Sequence, residues 1–291
     1  MSGTITVGLD GTDHALAAAD WAADEAERRG ASVRLVHAWV WGPTDVVYVG
    51  DRAAEERWAR DALNEARARI AKKHPSLDVT TELLVGDPVP TLLTEAAHAE
   101  MLVLGSRGYG TLTGYLIGSV SLHVLRQATG PVVMVRRPEV STRRHEPGEE
   151  EVVVGVQEPG ESGDSVLEFA FTAAAERGAA LRVVHAWSIP TALAWGPGSL
   201  YLADQAGALA RINREVLADV LAPWRDKYPG VEVIEHFEIG SPSEVLLHSS
   251  VRAGLVVVGR RSHEAGLRRL GAVTHAVLHH ASAPVAVVPH D

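Results

Sequence analysis

Residues 101–121 read MLVLGSRGYGTLTGYLIGSVS, and this stretch decides the fold. Met101 to Leu104 is an apolar run with the length of a buried strand, and an apolar helical pattern through Leu122, Val124 and Leu125 follows it. Between them, Gly105-Ser106-Arg107-Gly108 and Gly118-Ser119-Val120-Ser121 put one glycine pair at a strand end and the other at a helix start, with Tyr109 to Ile117 between. A helix N-terminus carries unpaired N–H groups and a partial positive charge. Glycines at its approach let the backbone close on an anion that a Cβ would hold off. Ser119 and Ser121 add hydroxyl donors in the first turn. Two familiar nucleotide loops are excluded by reading: there is no G-x-x-x-x-G-K-[ST], and the third glycine at Rossmann spacing is missing. A glycine turn that only joins strand to helix is the structural alternative.

Working outward, the same alternation of strand and helix fills the chain. Ile5 to Leu9 is a strand ending at Asp10-Gly11-Thr12, and an amphipathic helix through Leu16, Ala19, Ala22, Ala23 and Ala26 stops at Gly30. Val33 to Trp39 is a second strand, followed by a loop with Trp41, Gly42 and Pro43 and a helix over Arg52 to Lys73. Val79 to Val85 is a third, turning through Gly86-Asp87-Pro88 into a short helix over Leu92 to Ala97. Met101 to Leu104 is the fourth and Pro131 to Val135 the fifth. Alternating strands and helices predict a parallel sheet covered on both faces.

The pattern then begins again. Arg34-Leu35-Val36-His37-Ala38-Trp39 recurs as Arg182-Val183-Val184-His185-Ala186-Trp187, Gly86-Asp87-Pro88 as Gly240-Ser241-Pro242, and Pro131 to Val135 as Pro284 to Val288. The offset is 148 residues at His37 and His185 and about 154 beyond, so the second copy carries an insertion around Ile189 to Tyr201. A charged, proline-containing linker lies between the copies. The expected organisation is a first domain over residues 1–138, a linker over 139–150 and a second domain over 151–291.

Composition limits the partners. The 291 residues are 46% hydrophobic, enough for ordinary cores, and the net charge is -10. An acidic chain does not offer the Lys/Arg surface that nucleic acid or anionic membrane requires. There is no cysteine, which excludes disulfides, thiolate metal sites and a Cys nucleophile. The N-terminus enters a strand without a basic region, and no apolar run reaches membrane-spanning length, so the expected location is the cytoplasm.

These residues resemble the universal stress protein family in its tandem form, over nearly the whole chain. ATP-binding members carry G-x2-G-x9-G-[ST] after the fourth strand, met by Gly105, Gly108, Gly118 and Ser119, and Val-Gly-x-Asp at the first strand, met by Val7, Gly8, Leu9 and Asp10. The resemblance implies two α/β Rossmann-like domains, each a five-stranded parallel sheet of order 3-2-1-4-5 with helices on both faces, and ATP at the carboxyl ends of strands 1 and 4. There the winding reverses, and open α/β sheets bind ligands in that crevice. Asp10 would accept from ribose hydroxyls or the adenine amino group, Gly8, Leu9 and Ala38 would wall the base, and Leu104, Gly105 and Gly108 would approach ribose and phosphates. Gly118, Ser119, Val120 and Ser121 would receive the phosphate tail. Arg107 is either a charge-assisted phosphate contact or a solvated arginine. Mg²⁺ would accompany the nucleotide, and ADP or AMP would fit the same anion logic.

The second copy departs from the motif: Gln157 replaces the Asp, Ser262 the second glycine, and Ala272 the hydroxyl, and the spacing shortens by one residue. A weak or silent site is expected, with Arg260, Arg261, Arg268 and Arg269 read as a solvated face or as a side-chain anion site. His275, His279 and His280 suit a surface better than a metal centre, since no third ligand is placed by spacing. His37 and His185 recur on the second strands as core or site-wall residues. Trp39, Trp41, Trp187 and Trp195 lie near the expected base pocket, as core or stacking groups. No G-x-S-x-G elbow exists, and no general base stands beside the expected γ-phosphate, so hydrolysis should be slow.

The function expected is an ATP-binding stress-response regulator that works through nucleotide-dependent ordering of Tyr109 to Ile117 and an unknown protein partner. The alternatives are a slow ATPase timer and a nucleotide-independent scaffold. The fifth strands are apolar edges that need cover; pairing through them would join the two domains, and the resemblance implies a homodimer as well.

Overall fold

The computed structural model describes residues 3–40, 52–108, 115–137, 150–157, 163–187, 199–262 and 270–290. The chain divides into two compact units, the first centred on residues 1–142 and the second on residues 143–266 and 271–291.

The first unit runs β1 (Thr4–Gly8), α1 (Asp13–Arg29), β2 (Ser32–Trp39), α2 (Arg52–Lys73), β3 (Val79–Val85), α3 (Pro88–His98), β4 (Met101–Gly108), β5 (Tyr115–Leu116), α4 (Ser119–Gln127) and β6 (Val132–Arg136). Its parallel strands stand in the order β3-β2-β1-β4-β6, which is the expected 3-2-1-4-5 once the short β5 is set aside. Strands buried on both faces need continuous apolar runs, and Met101 to Leu104 and Val132 to Val135 are all 5% exposed or less.

Two differences from the sequence expectation concern the motif itself. β4 does not stop at Leu104 but runs on through Gly105 to Gly108. Two residues of the expected loop, Tyr115 and Leu116, form β5, antiparallel to β4 with Arg107 opposite Leu116 and Gly108 opposite Tyr115. Residues 109–114 of that loop, with Gly110 and Gly114, lie outside the described residues.

The helices cover both faces. Gly8 and Leu104 are register partners, and a Cβ on Gly8 would meet Leu104 Cδ2 at 2.6 Å and Leu92 of α3 at 3.1 Å. The next residue of β4, Gly105, points the opposite way, toward His14 and Ala15 of α1. α1 and α3 therefore sit on opposite faces, α1 with α2 and α3 with α4.

α1 approaches closely because its inner face is alanine: Ala15, Ala18, Ala19, Ala22, Ala23 and Ala26 are buried. Thr12 caps its start by accepting from the Ala15 N–H at 3.3 Å, and Gly30, at φ 60°, ends it. A buried ion pair closes the lower end: Arg29 Nε donates to Glu25 at 2.7 Å and Nη1 to Glu100 at 2.6 Å, with the Glu25 side chain 1% exposed.

The second unit repeats the plan with β7 (Glu151–Gly155), α5 (Asp164–Arg177), β8 (Leu181–Trp187), α6 (Ser199–Lys227), β9 (Val233–Ile239), α7 (Pro242–Ser249), β10 (Ala253–Arg261), α8 (Ala272–His280) and β11 (Val285–His290). Its parallel order is β9-β8-β7-β10-β11. Its packing is more aromatic: Phe171 of α5 stacks against Trp224 of α6 and Tyr228 just beyond it at centroid distances of 5.9 and 5.6 Å. No helix among the described residues is long and apolar enough to cross a membrane.

Candidate functional site

The sheet order makes β1 and β4 neighbours, so the residues just beyond their carboxyl ends share one edge of the first unit. From β1 come Leu9, whose N–H donates to Val36 O at 2.8 Å, and Asp10, whose side chain is exposed. Asp10 Oδ1 accepts from the Thr12 N–H at 3.1 Å and the Thr12 hydroxyl at 2.6 Å. That turn fixes the carboxylate at the strand end, and Oδ2 has no partner among the described residues. Ala38 stands half-buried on β2 beside this edge, opposite Leu84.

From the other side comes α4. β5 folds back on Arg107 and Gly108, which returns the chain to the end of β4 two residues before Gly118. Gly118 is the N-cap of α4 with φ −61° and ψ 152°, and no side chain caps the helix. The first intrahelical bond runs from the Leu122 N–H to Gly118 O at 2.9 Å, and the first turn contains no acid. The N–H groups of Ser119, Val120 and Ser121 thus have no protein partner among the described residues, and a Cβ placed on Gly118 would meet nothing within 4 Å. α1 and α3, by contrast, are capped by Thr12 and Asp87.

The motif residues separate by role. Leu104, 5% exposed, fills the space beside Gly8 and belongs to the core. Gly105 has a packing reason of its own: a Cβ would stand 2.5 Å from the His14 carbonyl carbon and oxygen and 2.8 Å from Ala15 N. Ser119 is exposed and Val120 and Ser121 half-buried at the open helix end, where His123 Nδ1–H donates to Ser119 O at 2.7 Å.

The β2 side carries two residues with no counterpart in the glycine motif. His37 is 7% exposed, and its Nδ1 is buried with no hydrogen-bond partner. Burial pushes its pKa below the ordinary value of about 6.5, against opposing pulls from the Leu9 backbone and Asp10. The Leu9 carbonyl acts through space, out of hydrogen-bonding geometry, whereas in the second unit His185 Nδ1 reaches Val156 O at 3.1 Å. His37 meets Trp58 of α2 at a centroid distance of 5.7 Å and an interplanar angle of 81°. Sequence reasoning passed over Trp58; its signal was an aromatic residue among Glu55, Glu56, Arg57 and Arg60 near the start of a charged helix. Trp39 is a packed residue at 8% exposure, with Arg52 over its ring at 5.7 Å. Trp41 and Trp195 lie outside the described residues.

The second unit keeps the frame, with an uncapped and acid-free helix start, and changes the hydroxyls. Gly271 caps α8 without a side chain, as Gly118 does in α4. Its first-turn hydroxyl, however, is turned inward: Thr274 is 4% exposed and donates to Gly259 O at 3.0 Å. Arg260 is 3% exposed, which corrects its reading as part of a solvated face, because the inward register of β10 carries it into the interior. Arg268 lies outside the described residues, as does Arg269. The His275 and His279 rings lie 4.4 Å apart on α8, and no group of three metal-ligating side chains occurs among the described residues.

Comparison with known proteins gives a consistent result. The sequence model of the universal stress protein family matches residues 1–136 and again residues 150–289. A universal stress protein of Mycobacterium tuberculosis is 34% identical over 301 residues, covering 97% of this chain and 96% of its own length. One from Mycolicibacterium smegmatis is 32% identical over 301 residues, covering 98% and 96%. Among solved structures, a universal stress protein from Archaeoglobus fulgidus superposes with a TM-score of 0.70 at 18% identity, covering 99% of each chain.

Proposed function

This chain belongs to the universal stress protein family in its tandem form, and from that footing we propose that its first domain binds ATP and that occupancy regulates a protein partner. The observation that carries the reading is the uncapped, acid-free N-terminus of α4, returned by β5 to the strand end beside which Asp10 stands exposed. Three free N–H groups and two hydroxyls suit a polyphosphate, and a carboxylate held by Thr12 suits ribose hydroxyls. In this assignment Gly118, Ser119, Val120 and Ser121 hold phosphates, Gly105, Arg107 and Gly108 contribute backbone at the β4 end, and Gly8, Leu9, Asp10 and Ala38 form the ribose and base side, with Leu104 packed behind Gly8. Mg²⁺ would accompany the nucleotide and offset phosphate charge; ADP and AMP would use the same site with fewer phosphate contacts.

We assign binding rather than turnover to this site, and place the protein in the cytoplasm, with domains at 1–138 and 151–291 joined by 139–150. Domain pairing would run through the apolar fifth strands, Val132–Arg136 and Val285–His290, and a homodimer would be a further contact between chains. The inward Thr274 and the exposed Gln157 favour a silent second site.

The test is to denature freshly purified protein, identify the released nucleotide by chromatography and mass, and count moles per chain after loading with ATP. One ATP per chain is expected. Gly118→Asp should abolish it, because the new carboxylate would cap α4 itself and repel phosphate while the open space accepts the side chain. No nucleotide in the purified or ATP-loaded protein would refute the reading in favour of the scaffold. Phosphate release above a boiled control, lost in the same variant, would favour the slow ATPase.

A further inference from the structure

We propose that Trp58 is the stacking surface for the nucleotide base, and so the residue by which this chain separates a nucleotide from a bare polyphosphate; the assignment rests on the nucleotide reading above. Sheet order supplies the first step. From the phosphate helix outward, the neighbours are β4, β1 and β2, and strands stand about 4.8 Å apart. A ligand with its phosphates at α4 beyond β4 and its ribose at Asp10 beyond β1 has its base beyond β2. Trp58 stands on that side, against Gly11 after β1 and His37 of β2.

Its position is fixed by two contacts. The six-membered edge of the indole lies on Gly11, the residue after Asp10: a Cβ at Gly11 would stand 2.6 Å from Cη2 and closer still to Cζ2. Gly11 has φ 75°, so the backbone there is in the left-handed region and bare enough to receive the ring. The indole also meets His37 at 81°, and that imidazole is buried, which disfavours its charged form. The ring is thereby seated on the ends of β1 and β2, yet 54% of Trp58 remains exposed. An indole held by its neighbours with much of its surface open, beside a carboxylate at a strand end, offers an apolar plane next to a polar anchor, the combination by which small-ligand sites orient an aromatic group.

Stacking of one base on one aromatic side chain is worth about tenfold in affinity. Calorimetric titration of the whole chain, freed of nucleotide, with ATP and with inorganic tripolyphosphate therefore tests the assignment. Trp58→Ala should bind ATP about tenfold more weakly and tripolyphosphate as the wild type does, and Trp58→Phe should keep most of the ATP affinity. In parallel, ATP should quench emission that is present in the wild type and missing in Trp58→Phe. Equal ATP affinity in Trp58→Ala, or equal loss for ATP and tripolyphosphate, would overturn the stacking role, the second result marking Trp58 as a packing residue. A wild-type chain that takes up no nucleotide refutes the nucleotide reading itself and this assignment with it.

Discussion

Gly105→Ala separates the two reasons a glycine can have for standing in this motif. In the structure a Cβ at Gly105 would lie 2.5 Å from the His14 carbonyl carbon and oxygen and 2.8 Å from Ala15 N. These are backbone atoms of α1, which cannot rotate aside as a side chain would. Non-bonded heavy atoms rest at about 3.5 Å, so α1 must retreat by roughly 1 Å. Its inner face is a row of buried alanines that meets the sheet only at close approach, and the retreat loosens all of them. Overpacking of this kind costs typically 1–3 kcal/mol, and the backbone character of the clash places Gly105→Ala at about 2 kcal/mol or above. For a domain of this size that corresponds to a fall of about 4–8 °C in the melting temperature of the first unit. Gly118→Ala is the control from the same motif: the Cβ would enter open space, and only the weaker capping of alanine is felt, about 1 kcal/mol or less. Both variants are compared by thermal and urea unfolding followed by circular dichroism, with ATP binding measured alongside. A Gly105→Ala protein of wild-type stability that has lost ATP would refute the packing argument and show that the ligand, not α1, requires this glycine.

Two further perturbations test other parts of the first unit. Arg29→Met removes the 2.7 Å partner of Glu25, whose side chain is 1% exposed; a loss of about 3 kcal/mol in urea unfolding is expected, and a loss below 1 kcal/mol would mean that the carboxylate is satisfied without Arg29. His37 is held below its ordinary pKa by burial, so below about pH 6.5 the unfolded chain binds a proton that the folded chain does not. Its contribution to stability is present above that pH and lost as pH falls toward the lowered folded value. The urea midpoint should therefore drop between pH 7.5 and 5.5 in the wild type and drop less in His37→Gln, and identical pH dependence in the two proteins would remove His37 as the cause.

Much of the candidate site could be proposed from sequence because its chemistry is local. The motif glycines, the two serines and Asp10 stand at fixed spacings from strand and helix patterns, and each implies a backbone or hydroxyl donor wherever the fold puts it. Arg260 could not be read in this way, since charge near a motif looks the same whether β10 turns it outward or inward. Thr274 was also illegible: its hydroxyl occupies the position of Ser121, yet the structure turns it onto Gly259 O. Trp58 lies 47 residues before Gly105 in the sequence and reaches the site only through the packing of α2 on β2 and β3.

The sequence by itself determined the duplication, the alternation of strand and helix, and the difference between an intact and a degraded glycine motif, because apolar periodicity and glycine spacing are properties of short segments. Tertiary structure alone decided which face each motif residue serves. Successive residues of a strand point to opposite sides, so Leu104 packs toward α3 and Gly105 toward α1, and that assignment depends on which helices cover which face. It also decided that β5 returns α4 to the strand end and that an indole from α2 is seated on Gly11, for these are contacts between segments far apart along the chain.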